Sequence, residues 1–199
     1  MKNVSEIIEF ALNYLQAKLP DGCFYHSVEH TRLVINSCRE MADYYQLSTA
    51  EKDILLTAAA FHDLGFTEDV KHHEESSAAL CVKYLGQWGF DEREISNVEK
   101  LILITKRNGD PKDLLSQIIS DADLSYLGNG KQESDFWRDA LYREISFFYP
   151  QLTREKWGEI ELDFMKNLFF YTSFAREKYE PGRQLILAEY VGEREKKGE

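Results

Sequence analysis

Apolar residues recur three and four positions apart almost from one end of this chain to the other, and no run alternates apolar with polar residues long enough to make a convincing strand. That pattern commits the chain to an all-α fold, a helical bundle. With 199 residues, 43% of them hydrophobic, there is material for one domain with a substantial core, spanning 1–199, and too little for two comfortable ones.

Local signals place the helices. A first covers 4–19 and ends at Pro20-Asp21-Gly22, and a second covers 27–45. Ser48-Thr49-Ala50-Glu51 has capping-box spacing and opens a third, which is expected to stop near Leu64 with Gly65 taking the left-handed cap. Helices over 74–85 and 91–105 follow, the latter ending in the polar turn Lys106-Arg107-Asn108-Gly109. Asp110 is placed to cap the next, with Pro111 at its first position, where the missing N–H costs nothing. The last third predicts helices over 133–148, 153–171 and 181–193. Its aromatics Trp137, Phe147, Phe148, Trp157, Phe164, Phe169 and Phe170 read as core, and the charged tail 192–199 is expected to fray.

Charge and cysteine usage remove several classes of function. Against 24 basic residues stand 35 acidic ones, a formal charge of -11, which repels nucleic acid polymers and anionic membranes. The longest runs without a charged residue are nine residues, against about 20 for a membrane-spanning helix. Glu6 and Glu9 stand where a signal peptide needs its apolar stretch, so no secretion is expected. Cys23, Cys38 and Cys81 are odd in number and widely spaced, which reads as buried thiols in a reducing, cytoplasmic setting.

All five histidines fall between residues 26 and 73. His26 and His30 are four apart, so on a helix they share the inward stripe that continues through Val34, Cys38, Met41 and Tyr45. His62 shares a face with Leu55, Ala58 and Ala59, and Asp63 follows at the helix end, where the backbone opens and adjacent side chains can converge. A buried carboxylate without a neighbouring cation costs several kcal/mol unless it is paired or metal-bound. Imidazoles with carboxylates are a ligand set for zinc, manganese, iron or nickel. Asp121 and Asp123 lie within an otherwise apolar helix, flanking Ala122 so symmetrically that periodicity does not say which faces inward. His72 and His73 open a further helix.

Tyr25-His26-x-x-x-His30, Ala59-Ala60-Phe61-His62-Asp63-Leu64-Gly65, His73-Glu74-x-Ser76-x-Ala78 and Ser120-Asp121-Ala122-Asp123-Leu124 occur in an order that resembles the HD superfamily of metal-dependent phosphohydrolases, small stand-alone bacterial members in particular. The resemblance is carried by 25–128, which leaves a helical C-terminal extension over about 132–199 within the same domain. It implies that His30, His62, Asp63 and Asp123 hold a divalent ion (Mn, Fe, Ni, Zn or Mg), with Asp123 favoured over Asp121. It further implies that Asp63 bridges to a second ion near His73 and His72, and that His26 protonates the leaving group.

Departures from the family narrow the substrate. Glu75-Ser76-Ser77-Ala78 replaces the Gly-Tyr-Pro segment of the cyclic-dinucleotide phosphodiesterases. Gly65-Phe66 stand where guanosine tetraphosphate hydrolases carry a Glu-Asp pair. Phe66 also replaces the glutamate of related 5'-nucleotidases. The expectation is therefore hydrolysis of a small phosphate ester, nucleotides included, by a metal-activated water. Lys106, Arg107 and Arg143 are the candidates for phosphate contacts, Lys106 foremost. The alternatives are a non-catalytic metal- or nucleotide-binding module and a di-iron oxygenase on the same helical cage.

Overall fold

The computed structural model describes residues 2–197, and side chains as far as residue 192. Among these residues there are ten α-helices joined by short turns and no strand, so the fold is all-α. Residues 198–199, the end of the tail expected to fray, lie outside the described residues.

The chain forms two compact units, Met1–Asp123 and Leu124–Glu199. The first holds α1 (Val4–Lys18), α2 (Val28–Tyr44), α3 (Thr49–Phe61), α4 (His73–Leu85), α5 (Glu92–Ile104) and α6 (Leu114–Asp123). α3 is its axis, packed against α1, α2, α4, α5 and α6. Seven consecutive α3 residues, Leu55 to Phe61, are buried, which marks a helix surrounded on every side. Three of them are Ala58, Ala59 and Ala60, small enough for neighbouring helices to come close. The start of α3 is fixed by the expected capping box: Ser48 Oγ accepts from the Glu51 N–H at 3.3 Å, and Glu51 Oε2 accepts from the Ser48 N–H at 2.8 Å. With one end of a fully packed rod fixed, the other end delivers His62 and Asp63 to a defined place.

Gly65 corrects one expectation. It does not adopt a left-handed cap but lies in a 3-10 turn, Leu64–Thr67. Its glycine identity answers to crowding instead: a Cβ there would lie 2.0 Å from the His73 carbonyl oxygen and 2.5 Å from the Ser77 nitrogen. The Gly65 N–H donates to Ser77 Oγ at 2.7 Å, so the turn and the start of α4 are clamped together. The expected helix start at Asp110-Pro111 is also corrected. α6 begins at Leu114, because the Asp113 carboxylate accepts from the Ser116 N–H at 3.0 Å and so acts as the cap three residues later.

The second unit holds α7 (Lys131–Phe148), α8 (Arg154–Asn167), α9 (Ser173–Lys178) and α10 (Glu180–Lys197). The helix expected over 153–171 ends earlier, at Asn167, and a further helix that was not expected follows it, since Thr172 Oγ1 accepts from the Ala175 N–H at 3.1 Å and starts α9. Phe170, Ala175 and Tyr179 form one core cluster there, and Leu168 and Phe174 pack on it. Of the aromatics assigned to the core, Trp137, Trp157 and Phe170 are buried, whereas Phe147 and Phe169 are exposed. Helical spacing in this amphipathic segment did not separate the two sets.

Candidate metal centre

Four stretches of chain in the first unit converge. His30 sits in the first turn of α2, whose cap Ser27 accepts from the His30 N–H at 3.2 Å. His62 caps the C-terminal end of α3 and Asp63 follows it. His73 is the first residue of α4, and Asp123 is the last of α6. His26 arrives differently from expectation. α2 begins only at Val28, so His26 projects from the bend before the helix rather than from a helical turn, yet its ring still lies 6.1 Å from that of His30.

Two groups of possible ligands result, His30 with His62 and Asp123, and His26 with Asp63 and His73; within each, the ligand atoms lie within 4.8 Å of one another. Asp63 faces both. Its Oδ2 is 3.0 Å from His62 Nε2 and 3.5 Å from His30 Nε2, while its Oδ1 is 4.0 Å from His73 Nε2. Asp123 Oδ1 lies 3.0 Å from His30 Nε2 and 3.6 Å from His62 Nε2.

The protonation pattern of His62 follows from its other nitrogen. Nδ1 is 2.7 Å from the Ala59 carbonyl oxygen, which can only accept, so Nδ1 carries the hydrogen and Nε2 of the neutral ring presents a lone pair. That lone pair is aimed at two carboxylate oxygens. Although only 3.0 Å apart, His62 Nε2 and Asp63 Oδ2 are not aligned for a hydrogen bond, and both atoms are buried without such a partner. Lone pairs converging on one buried point draw positive charge there, either as a proton or as a cation. Burial disfavours a charge on His62, but the carboxylates of Asp63 and Asp123 outweigh it and hold its pKa well above the usual imidazole value. Burial also opposes the charges on Asp63 and Asp123; neighbouring imidazoles prevail and hold both far below the ordinary carboxylate range. His73 goes the other way: burial lowers its pKa and Asp63 only partly restores it. The donor set and the unpartnered buried atoms therefore fit a divalent ion.

The remaining sequence candidates are placed elsewhere or differently. His72 is exposed and its Nδ1 pairs with Asp69 Oδ2 at 3.0 Å, so the structure does not bring it to either group. Lys106, at the end of α5, is paired through Nζ with Glu75 Oε1 at 2.5 Å. Arg107 is exposed, and Arg143 is exposed on α7 of the second unit. Asp121 is buried, but it is Asp123 that joins the imidazoles.

Three residues named in the sequence motifs and departures were given no place in the site there. Tyr25 is buried with its ring 4.3 Å from that of His30. Glu74 Oε1 lies 3.4 Å from His73 Nε2. Phe66 is buried and stacked on both His26 and His73, with centroid distances of 3.9 and 4.0 Å. Glu74 was legible as the neighbour of a histidine at a helix start. Phe66 was not, because a 3-10 turn carries no hydrophobic period.

Comparison with known proteins agrees with this geometry. The HD domain family model matches residues 27–125, which contain every residue of the two groups except His26. No curated protein sequence matches the chain. The crystal structure of a predicted HD superfamily hydrolase from an uncultured Thermotogales bacterium is similar in fold, with a TM-score of 0.59 over 99% of each chain at 22% identity. No helix among the described residues is long and apolar enough to cross a membrane. With its His, His-Asp and Asp positions inside the matched segment and brought to one place by an all-helical fold, the chain belongs to the HD superfamily of metal-dependent phosphohydrolases.

Proposed function

We propose that this protein hydrolyses a small phosphate ester, nucleotides included, at a divalent ion held by His30, His62, Asp63 and Asp123. The observation that carries the reading is the convergence of the His62 Nε2 lone pair with carboxylate oxygens of Asp63 and Asp123 at one buried point. When bound, such an ion offsets phosphate charge and lowers the pKa of a water toward ~7, the chemistry this reaction needs at neutral pH. It also answers how a chain of net charge -11 takes up an anion. The two oxygens of Asp63 face the two ligand groups, which supports a second ion between Asp63, His26 and His73.

The chain's own groups have distinct work. His62 is oriented by the Ala59 carbonyl, so its ligand nitrogen is set before any ion arrives. With the first ion alone bound, His26 would give a proton to the departing oxygen; as a ligand of a second ion it would give up that role. Lys106 would reach a substrate phosphate only by leaving Glu75, and an exposed pair of that kind gives way at little cost. The buried thiols of Cys38 and Cys81 support a reducing, cytoplasmic setting.

The test is metal analysis of protein purified without chelator or affinity resin, followed by phosphate-release assays across nucleotides and phosphosugars. Bound divalent metal with turnover that disappears in Asp123→Ala is the expected result. Metal-loaded protein that releases no phosphate from any ester would overturn it.

A further inference from the structure

Both imidazoles of the His26, Asp63 and His73 group rest on a single aromatic ring. Phe66 is buried, and its ring lies 3.9 Å from that of His26 at 22° and 4.0 Å from that of His73 at 27°, close to parallel stacking in both cases. The ring is delivered from a fixed turn: the Phe66 N–H donates to the Asp63 carbonyl at 3.1 Å, and the preceding Gly65 N–H donates to Ser77 Oγ at 2.7 Å. An imidazole binds metal through nitrogens at its edge. A ring laid on its face therefore restrains rotation of the side chain while leaving those nitrogens clear. The first group is supported otherwise, with His30 and His62 5.5 Å apart and Tyr25 against His30.

We infer that Phe66 is a positioning residue for the second cation: by stacking on His26 and His73 it pre-sets the two ring planes around Asp63, so that this group of only three donors binds a divalent ion while the first group is indifferent to it. The inference rests on the two-ion reading given above. Its physical basis is preorganisation, since side chains held in their bound orientation lose less freedom when the ion arrives. Removing a residue that orients metal ligands typically weakens a site by about 10–100-fold.

The experiment is a titration of chelator-stripped protein with Co(II) alone, followed by visible absorption, for the unaltered chain and for Phe66→Leu and Phe66→Tyr. The unaltered chain should take two equivalents. In Phe66→Leu, which keeps an apolar side chain but loses the ring, the first equivalent should bind as before and the second at least tenfold more weakly. Phe66→Tyr should restore the second to within about threefold. The intact first equivalent serves as the check that the variant is folded. An endpoint at one equivalent in the unaltered chain would sink the two-ion reading and this inference with it. Two equivalents in the unaltered chain and an unweakened second one in Phe66→Leu would overturn this inference alone. Equal weakening of both equivalents, or a second equivalent no tighter in Phe66→Tyr than in Phe66→Leu, would do the same.

Discussion

At the scale of single residues, the two aspartates at the end of α6 differ in what they face. Asp121 is 1% exposed and Asp123 more accessible, so burial alone would favour Asp121 as the ligand. Distance decides: Asp123 Oδ1 reaches both His30 Nε2 and His62 Nε2. Asp123→Ala is therefore expected to lose the ion of the first group. Asp121→Ala should keep its metal while losing roughly 1–3 kcal/mol of stability for the buried polar contacts it abandons. Metal content by elemental analysis beside urea denaturation checks both, and loss of metal in Asp121→Ala alone would reverse the assignment. The histidines were legible in the sequence because clustering and inward spacing set His30 and His62 apart from ordinary surface residues. The choice between Asp121 and Asp123 was not legible from periodicity, since two residues on either side of Ala122 at a helix end differ only in where the chain stops. His26 was found for a partly mistaken reason: it does lie near His30, but from the bend that precedes α2.

At the scale of elements, starts fixed by a capping box were legible, whereas those of α6 and α9, capped by Asp113 and Thr172, and the turn held by tertiary contact at Gly65 were not. The Ser48 and Asp91 boxes set the starts of α3 and α5 where the sequence put them. Gly65 looked like a cap because glycine after a helix usually is one, whereas here the constraint comes from α4, twelve residues further along the chain at Ser77. Gly65→Ala should accordingly cost about 3 kcal/mol, the upper range for overpacking, because backbone atoms rather than a flexible side chain stand in the way. Gly86→Ala is the control, with ordinary helical φ and nothing within 4 Å of an added Cβ; it should be neutral or stabilising by up to about 1 kcal/mol. Equal denaturation midpoints for the two variants would refute the crowding argument. In α10, Arg183 beside Glu180 holds the Glu180 carboxyl below its usual range. The folded value lies below the unfolded one, so the pair stabilises above a pH of about 4.3 and that contribution fades as pH falls through the folded value. Glu180→Gln should cost about 1 kcal/mol at pH 7 and progressively less as pH falls below about 4.3, and a cost that does not fall with pH would show that charge is not the source.

At the scale of the whole molecule, motif order was the most legible property. Four motifs in sequence pointed to one superfamily, while no change of composition marks the step from Asp123 to Leu124 at which the two compact units divide. Every candidate ligand falls before that step, and so does most of the charge: residues 1–123 hold 21 acidic and 12 basic residues. An excess of this size attracts divalent cations diffusely as well as at a built site, so stabilisation by metal has two possible sources that must be told apart. A site that binds only the folded chain stabilises it by about 2.7 kcal/mol at a metal concentration a hundred times Kd, which for a chain of this length raises Tm by roughly 5–10 °C. Diffuse attraction gives less, saturates poorly and is screened by salt within a distance of about 8 Å at 0.15 M. Scanning calorimetry of stripped and Mn(II)-loaded protein at 0.15 M salt should therefore show the full increment in the unaltered chain and a clearly smaller one in Asp123→Ala, which keeps only the second group. The same increment in both would assign the effect to the acidic surface and remove the metal site from the account of stability.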